Sequence, residues 1–346
     1  MRPSSAPPPI PRDRVLKLIE RMGTSRIAVI GDLILDRYLI GDTERLSPEA
    51  PVPVVTVREH RSALGGAANV AANVAAMGAT CQLVGVVGDD PTGRALRAEM
   101  ATLRLTDAFV LTTAGRPTTS KTRVLARGQQ VVRIDEEVDR LLEGAELDKI
   151  TAKAEEALAD ADALLLEDYN KGLLAPALIH AAMAVAKKRG IPVVVDPKFR
   201  QFFDYAGATV FKPNRREMEA ALGAAVDLEH RDALPESLNR LKVDNLLLTL
   251  GAEGMVLVTR DGATIHLPSL AREVYDVSGA GDTVTAWVGT CLAAGATVRE
   301  AAQLANIAAG IEVGKAGVAT VSPEEVLAMH DERFDQIGRL RRGGLI

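Results

Sequence analysis

The chain has 346 residues, 47% of them apolar and only 3% aromatic, with a formal net charge of −5, so a large core of Ala, Val, Leu and Ile is available, as in a parallel sheet covered by Ala-rich helices. The acidic balance and scattered Lys and Arg argue against nucleic acid as the main partner. Cys81 and Cys291 lack the Cys or His neighbours of a zinc site, and no apolar run reaches the ~20 residues of a membrane span, so a soluble, cytoplasmic protein with reduced thiols is expected.

In chain order, residues 1–11 are rich in Pro, lack a secretory signal and read as disordered. Residues 12–22 have helical spacing through Val15, Leu16, Leu18 and Ile19. This tail and helix (1–25) precede one domain at 26–330 and a charged, peripheral tail at 331–346. Residues 26–30 form the first buried strand, ending at Gly31-Asp32. Ligand groups gather at the carboxyl ends of strands in open α/β sheets. Asp32 and Asp36 are therefore acceptors for sugar hydroxyls or, more plainly, a turn residue and a solvated acid. Residues 38–62, interrupted by Pro48, Pro51 and Pro53, predict short strands of a lid. Gly65-Gly66-Ala67-Ala68-Asn69 opens a helix to Met77. A strand at 82–87, a helix at 92–102 and a strand at 108–113 follow.

Residues 116–134 break the βα rhythm again. Segments 120–124 and 131–134 flank Gly128, a hairpin whose Lys121, Arg123 and Arg133 either meet an anionic substrate or form a solvated face. From Leu147 the alternation is regular. A helix at 147–159 leads to a strand at 163–166, ending in Glu167-Asp168-Tyr169-Asn170-Lys171. A helix at 175–189 leads to a strand at 192–195, ending in Asp196-Pro197-Lys198. A short strand at 209–211 ends in Lys212-Pro213-Asn214, and the helix from Arg215 carries Glu217. A strand at 246–250 ends at Gly251, before a hairpin at 254–259 and 263–267. This pattern predicts an α/β fold, doubly wound and mostly parallel, with helices on both faces and a small β lid. Polar groups recur at the strand ends, at Asp168, Asp196, Asn214 and Gly251, which marks one sheet edge as the ligand site.

The stretch Asp276-Val277-Ser278-Gly279-Ala280-Gly281-Asp282 precedes helices at 283–294 and 299–313 and a short one at 323–329. Gly279, Ala280 and Gly281 bare backbone N–H groups at a helix start, where the dipole favours an anion. Asp282 is repelled by such an anion unless it has a task, such as taking the proton of a hydroxyl that attacks a phosphoryl group. The plainer alternative is a Gly-rich turn with a helix-start acid. Asn214 and Glu217, three residues apart at a helix start, can hold Mg²⁺ through water. No Gly-x-x-x-x-Gly-Lys-Ser/Thr run occurs, and no Gly-x-Gly-x-x-Gly follows the first strand, which disfavours a nicotinamide dehydrogenase.

The pair of motifs Gly65-Gly66…Asn69 and Asp276-x-x-Gly279-Ala280-Gly281-Asp282 resembles the ribokinase (PfkB) family of sugar kinases over residues 26–329. Gly31 to Tyr38, Ser47 to Val55, Asp168 to Gly172 and Val313 to Gly317 are most similar to the D-glycero-β-D-manno-heptose 7-phosphate kinases of that family. The resemblance implies Asp282 as general base and Gly279, Ala280 and Gly281 as anion hole. It implies Asp36, Gly65, Gly66 and Asn69 as sugar ligands. Asn214 and Glu217 would serve Mg²⁺, with Lys198, Thr249, Gly251, Gly254 and Asn306 around ATP. Asp276 and Ser278 stand where ligands of a monovalent cation such as K⁺ would be, although Val277 replaces a common Thr. A substrate that already carries phosphate needs cations away from the transferred group. Arg37, Lys121, Arg123, Arg133, Lys171 and Lys198 are the candidates, and Asp168 is a further expected substrate ligand. The end at Ile346 fits a stand-alone kinase rather than a fused one, and the lid strands suggest a homodimer.

Overall fold

The computed structural model describes residues 8–227, 234–315 and 317–342, without the side chains of 335–342. The readings of residues 1–7, Ala316 and 343–346 lie outside the described residues. α1 (Arg12–Met22) lays Val15, Leu18 and Met22 on the main domain. Residues 8–11 precede it as an ordered segment: Ile10 is buried and its carbonyl lies 2.9 Å from His330 Nε2, so the disorder expected of residues 1–11 does not hold for 8–11.

β1 (Arg26–Gly31) is buried from Ile27 onward. One residue later the chain enters β2 (Leu33–Leu46), which pairs antiparallel with β3 (Pro53–Gly66). These are long strands, not the short ones expected. Register shifts at Ile40/Gly41 and Thr43/Arg45 break the two-residue period and hide it from a pattern reading. α2 (Ala67–Ala76) follows directly, then β4 (Thr80–Gly88) and α3 (Pro91–Thr102), where Asp90 Oδ1 accepts from Gly93 N at 2.6 Å and Pro91 opens the helix. After β5 (Val110–Thr113), β6 (Ser120–Ala126) and β7 (Gln129–Glu136) form the expected hairpin, and β6 runs parallel to β2. The order β3-β2-β6-β7 makes one separate lid sheet.

The second half alternates as the sequence predicts. It contains α4 (Gly144–Leu158), β8 (Ala163–Glu167), α5 (Pro176–Arg189), β9 (Val193–Asp196), β10 (Val210–Phe211), α6 (Arg215–Leu222), α7 (Leu234–Leu241) and β11 (Leu246–Thr249). α7 was not foreseen. β12 (Met255–Val258) and β13 (Thr264–Leu267) return antiparallel, and α8 (Ala280–Ala293), α9 (Val298–Glu312) and α10 (Pro323–Arg342) close the chain. α10 continues past Met329, where a charged tail was expected.

Among the described residues the main sheet has the order β13-β12-β11-β10-β9-β8-β1-β4-β5 and is parallel from β11 to β5. One apolar cluster lies on the face covered by α1, α2, α8, α9 and α10, and a second on the face covered by α4, α5, α6 and α7. The carboxyl ends of β1, β8, β9, β10 and β11 therefore open on one edge, beside the N-terminus of α8.

Asp32, in the single residue between β1 and β2, holds that edge together. Its Oδ2 accepts from the N–H groups of Tyr169 and Lys171, each at 2.9 Å, and its Oδ1 from Leu173 N at 3.1 Å. Burial pushes its carboxyl upward, opposed by these N–H groups and by the nearby Arg116 charge. Asp32 is thus an internal anchor rather than a sugar ligand. Asp32→Ala strands three backbone donors, one of them fully buried, and is expected to lower stability by about 3 kcal/mol, read as a lower denaturant midpoint with unchanged slope; an unshifted midpoint shows that Asp32 does not anchor this edge.

Candidate functional site

α8 begins after Gly279, whose φ of +97° is left-handed, and no side chain caps the helix. A side chain at Gly279 would also meet Asn69 Nδ2 at 2.9 Å and Glu312 Oε1 at 3.3 Å, so glycine is required for both backbone and space. The first N–H groups of α8 remain available to an anion. Asp282 lies in this first turn, 3% exposed. Its Oδ2 accepts from Asn69 Nδ2 and its Oδ1 from the Tyr169 hydroxyl, both at 2.8 Å. Burial pushes the Asp282 carboxyl up to about 6; the two hydrogen bonds oppose the rise and the Asp196 charge adds to it. Both direct partners are neutral; they and the nearby Lys212 charge lower the carboxyl, but burial outweighs them.

A cleft of about 460 Å³ runs from this turn along the sheet edge. Asp196, Lys198, Lys212, Asn214, Glu217 and Asp282 line its charged end, and Met255, Ala271, Val274, Val277, Ala309 and Val313 its apolar end. Gly279, Ala280, Gly281, Thr249, Gly251, Gly254 and Asn306 also line it, so the residues expected around a nucleotide come together. Asn306 Nδ2 donates to Pro268 O at 2.9 Å, which props the cleft wall rather than leaving Asn306 free. Asp276 Oδ1 accepts from Ser278 N at 2.8 Å, a turn that shapes the approach to Gly279.

Asn214 and Glu217 form a reciprocal helix cap: Glu217 N donates to Asn214 Oδ1 at 2.9 Å and Asn214 N to Glu217 Oε2 at 2.8 Å. Glu217 Oε1 pairs with Lys198 Nζ. The Lys198 ammonium is held above its usual range: burial lowers it, but the Asp196 and Glu217 charges outweigh burial. Both oxygens of Glu217 are engaged, so a metal at this wall would meet the carboxylate through water.

On the lid side, Asp36 pairs with Arg123, which lies over the Tyr38 ring at 5.4 Å. Gly65 leaves the space that the Asp36 carboxylate fills. Lys121 and Lys198 flank the Tyr169 ring at 5.5 and 5.0 Å. Burial lowers the Lys121 ammonium, and the Lys171 and Arg133 charges lower it further against Asp36. Lys171 meets Glu137 at 2.8 Å. Three expected substrate ligands turn elsewhere. Arg37 Nη2 donates to Thr92 Oγ1 at 3.0 Å, because alternate side chains on β2 face opposite sides. Arg133 lies exposed on β7, its guanidinium on both oxygens of Asp135 at 2.9 Å. Asp168 is buried, accepting from Tyr205 OH at 2.9 Å and Asn170 N at 2.7 Å, and burial pushes its carboxyl up to about 6.

The structure adds Glu167, Tyr169 and Lys212 to the site, beside Asp196, which the sequence already placed at a strand end of this edge. Asp196 accepts from Lys212 Nζ at 2.8 Å. These residues stand at strand ends whose polar character the sequence displayed, but only the register of β8 beside β9 sets Glu167 opposite Asp196.

Residues 24–325 match the model described as pfkB family carbohydrate kinase. Bifunctional protein HldE of Pelobacter propionicus is 46% identical over 323 residues, 91% of this chain and 65% of that protein. Bifunctional protein HldE of Rhodospirillum rubrum is 40% identical over 325 residues, 93% of this chain and 66% of that protein, so the chain spans just under two thirds of both relatives. Among solved structures, Arabidopsis thaliana ribokinase complexed with ribose and ATP superimposes with a TM-score of 0.70 at 21% identity, over 89% of this chain and 99% of that one. Phosphofructokinase-2 from Escherichia coli in complex with potassium does so with 0.72 at 19% identity, over 89% and 98%. The fold is ribokinase-like, and the chain belongs to the pfkB family of carbohydrate kinases.

Proposed function

We propose that this sugar kinase transfers the γ-phosphoryl group of ATP to the anomeric O1 hydroxyl of D-glycero-β-D-manno-heptose 7-phosphate, giving the 1,7-bisphosphate, a cytoplasmic step toward ADP-heptose and lipopolysaccharide core. The observation that carries the reaction is Asp282, a buried, raised carboxylate held by neutral donors where an uncapped helix start meets the cleft.

The chemistry follows from that geometry. The nucleotide base lies in the apolar end of the cleft and its phosphates at the charged end, with the γ-phosphoryl group on the N–H groups of Gly279 to Gly281. The sugar lies under the lid, its hydroxyls toward Asp36 and Asn69. Asp282 accepts the O1 proton as O1 bonds to the γ-phosphorus and the bond to the ADP oxygen breaks. Lys198 and Lys212 face the charge that gathers on the phosphates. A divalent ion, Mg²⁺ by chemistry, would be held from Asn214 and, through water, Glu217, and supplies neutralisation of the nucleotide charge. Asp276 and Ser278 are the ligands proposed for a monovalent cation.

Resemblance to heptose 7-phosphate kinases at Gly31 to Tyr38 and Ser47 to Val55 supports the choice of sugar. So does the set of cations beside Tyr169, Lys121 and Lys171 with Lys198 behind. A sugar with a distal phosphate would meet Lys121, while Lys171 and Lys198 already pair with Glu137 and Glu217. Val57, Val131, Val132 and Ile134 stand exposed on the lid sheet and Val52 just before it, and we propose that two copies pair there.

With ATP and a panel of sugars, heptose 7-phosphate is expected to give a new anomeric phosphate resonance in ³¹P NMR. Lys121→Ala should raise its KM about tenfold or more, with the KM for ATP unchanged. Turnover of ribose, fructose or fructose 6-phosphate without heptose 7-phosphate contradicts this assignment. The base must be ionised to act, and burial raises its pKa. With metal equimolar to ATP, kcat/KM should therefore rise tenfold per pH unit up to about 6 and level off above it. A profile flat down to pH ~5 excludes Asp282 as the group whose ionisation controls the rate.

A further inference from the structure

We propose that Tyr169 is a positioning residue of the reaction: from the boundary between the phosphate cradle and the lid, its hydroxyl aims the carboxylate of Asp282 at the sugar. The role rests on Asp282 as the base and adds to it the group that orients it. Tyr169 follows β8 and lines the cleft. Its hydroxyl donates to Asp282 Oδ1 at 2.8 Å, and Asn69, on α2, donates to Oδ2 at 2.8 Å. Two donors from two elements, one to each oxygen, fix the plane of the carboxylate. Each oxygen keeps a second lone pair. The direction from which Asp282 takes a proton is thus set before a sugar arrives.

The phenol is itself held. Its backbone N–H donates to Asp32 Oδ2 at 2.9 Å. On one side of it Asp168 N donates to Asp196 O at 3.0 Å. On the other, Asn170, with a left-handed φ of +54°, donates its N–H to Asp168 Oδ1 at 2.7 Å. Ammonium groups from both sides lie over the ring: Lys121 of β6 at 5.5 Å from its centroid and Lys198, after β9, at 5.0 Å. Lys198 is in turn tied to Glu217. Burial pushes the Tyr169 hydroxyl well above its ordinary range, and the Asp282, Glu167 and Asp196 charges push it further, so it stays a donor.

This hydroxyl does two opposed things to the base. The hydrogen bond it donates favours the charged carboxylate, which weakens the pull of Asp282 on a proton. The same bond keeps that carboxylate in line. Without it, Asp282 is more basic and less well aimed, a combination that a residue serving only stability does not produce. The other groups that face Asp282 are Asn69, Glu167, Asp196, Lys212 and Glu312, and removal of the hydroxyl leaves them all in place.

Tyr169→Phe keeps the ring and removes only the hydroxyl. The Asp282 carboxyl of the full chain, free of nucleotide and sugar, is titrated by ¹³C NMR, its resonance identified by its loss in Asp282→Asn. The midpoint is expected to rise by about one pH unit in Tyr169→Phe. In turnover with ATP and heptose 7-phosphate, the acid limb of kcat/KM should move up by the same interval. Above that limb kcat should fall about tenfold, with the KM for ATP within about twofold of wild type. A midpoint that stays or falls overturns the role, and so does a plateau kcat equal to that of the wild type. A midpoint that rises beside an unmoved acid limb upholds the hold of the hydroxyl on the carboxylate and overturns Asp282 as the base, so the two failures are told apart. Should Tyr169→Phe not fold, 3-fluorotyrosine in place of Tyr169, a more acidic donor, is expected to lower the midpoint, and an unmoved one overturns the role.

Discussion

Keeping a carboxylate basic inside a helix start is the constraint on which the rest of the structure depends. Asp282 is surrounded by protein, yet no cation touches it: Asn69 and Tyr169, both neutral, are its direct partners. Lys212, the ammonium nearest this turn, is bound to Asp196 instead. Had it paired with Asp282, the charge would have drawn the carboxyl down and left a poor proton acceptor. Each of these residues comes from a different element. Asn69 lies on α2, Tyr169 follows β8, Asp196 ends β9, and Lys212 follows β10. The parallel sheet exists, functionally, to bring those ends to one edge beside α8.

The lid then divides labour with the sheet. β2 leaves β1 after one residue, so a strand of the lid grows directly from the catalytic edge and carries Asp36. β6 runs parallel to it and sets Lys121 beside Asp36 and Arg123 beside Tyr38. The acid that would take sugar hydroxyls and the cation that would meet a distal phosphate are thus neighbours across one strand pair. Asp32, at the junction, fastens residues 169–173 through three backbone N–H groups, which fixes Tyr169 relative to Asp282. That one carboxylate therefore ties the junction of β1 and the lid strand to the segment that carries Tyr169.

Much of this was legible in the sequence, for reasons that can be named. The alternation of buried strands with Ala-rich helices after Leu147 is a period signal that tertiary packing does not scramble, and it gave the sheet and the cleft-lining residues at strand ends. The turn at Gly279 carries its own chemistry in its glycines. The lid strands were seen only in fragments, because bulges near Gly41 and Arg45 shift the pattern. Side-chain allegiance was the least visible. Arg37, Arg133 and Asp168 read as substrate ligands, but their partners Thr92, Asp135 and Tyr205 are set by pleat direction and packing. Glu167 looked like one more polar residue after a strand, and only the register of β8 against β9 reveals it as a buried acid opposite Asp196.

In the proposed reaction Asp282 is the proton acceptor, and the anion-binding N–H groups at the start of α8 belong to the backbone and do not depend on its side chain. The most direct test pairs kcat with nucleotide affinity in Asp282→Asn, which keeps the shape and both hydrogen-bonded neighbours but cannot accept the proton. Turnover lower by about 10³-fold or more, with the Kd for the nucleotide within about twofold of wild type, is the predicted result. Turnover close to wild type, or a loss wholly explained by failure to bind nucleotide, would contradict it.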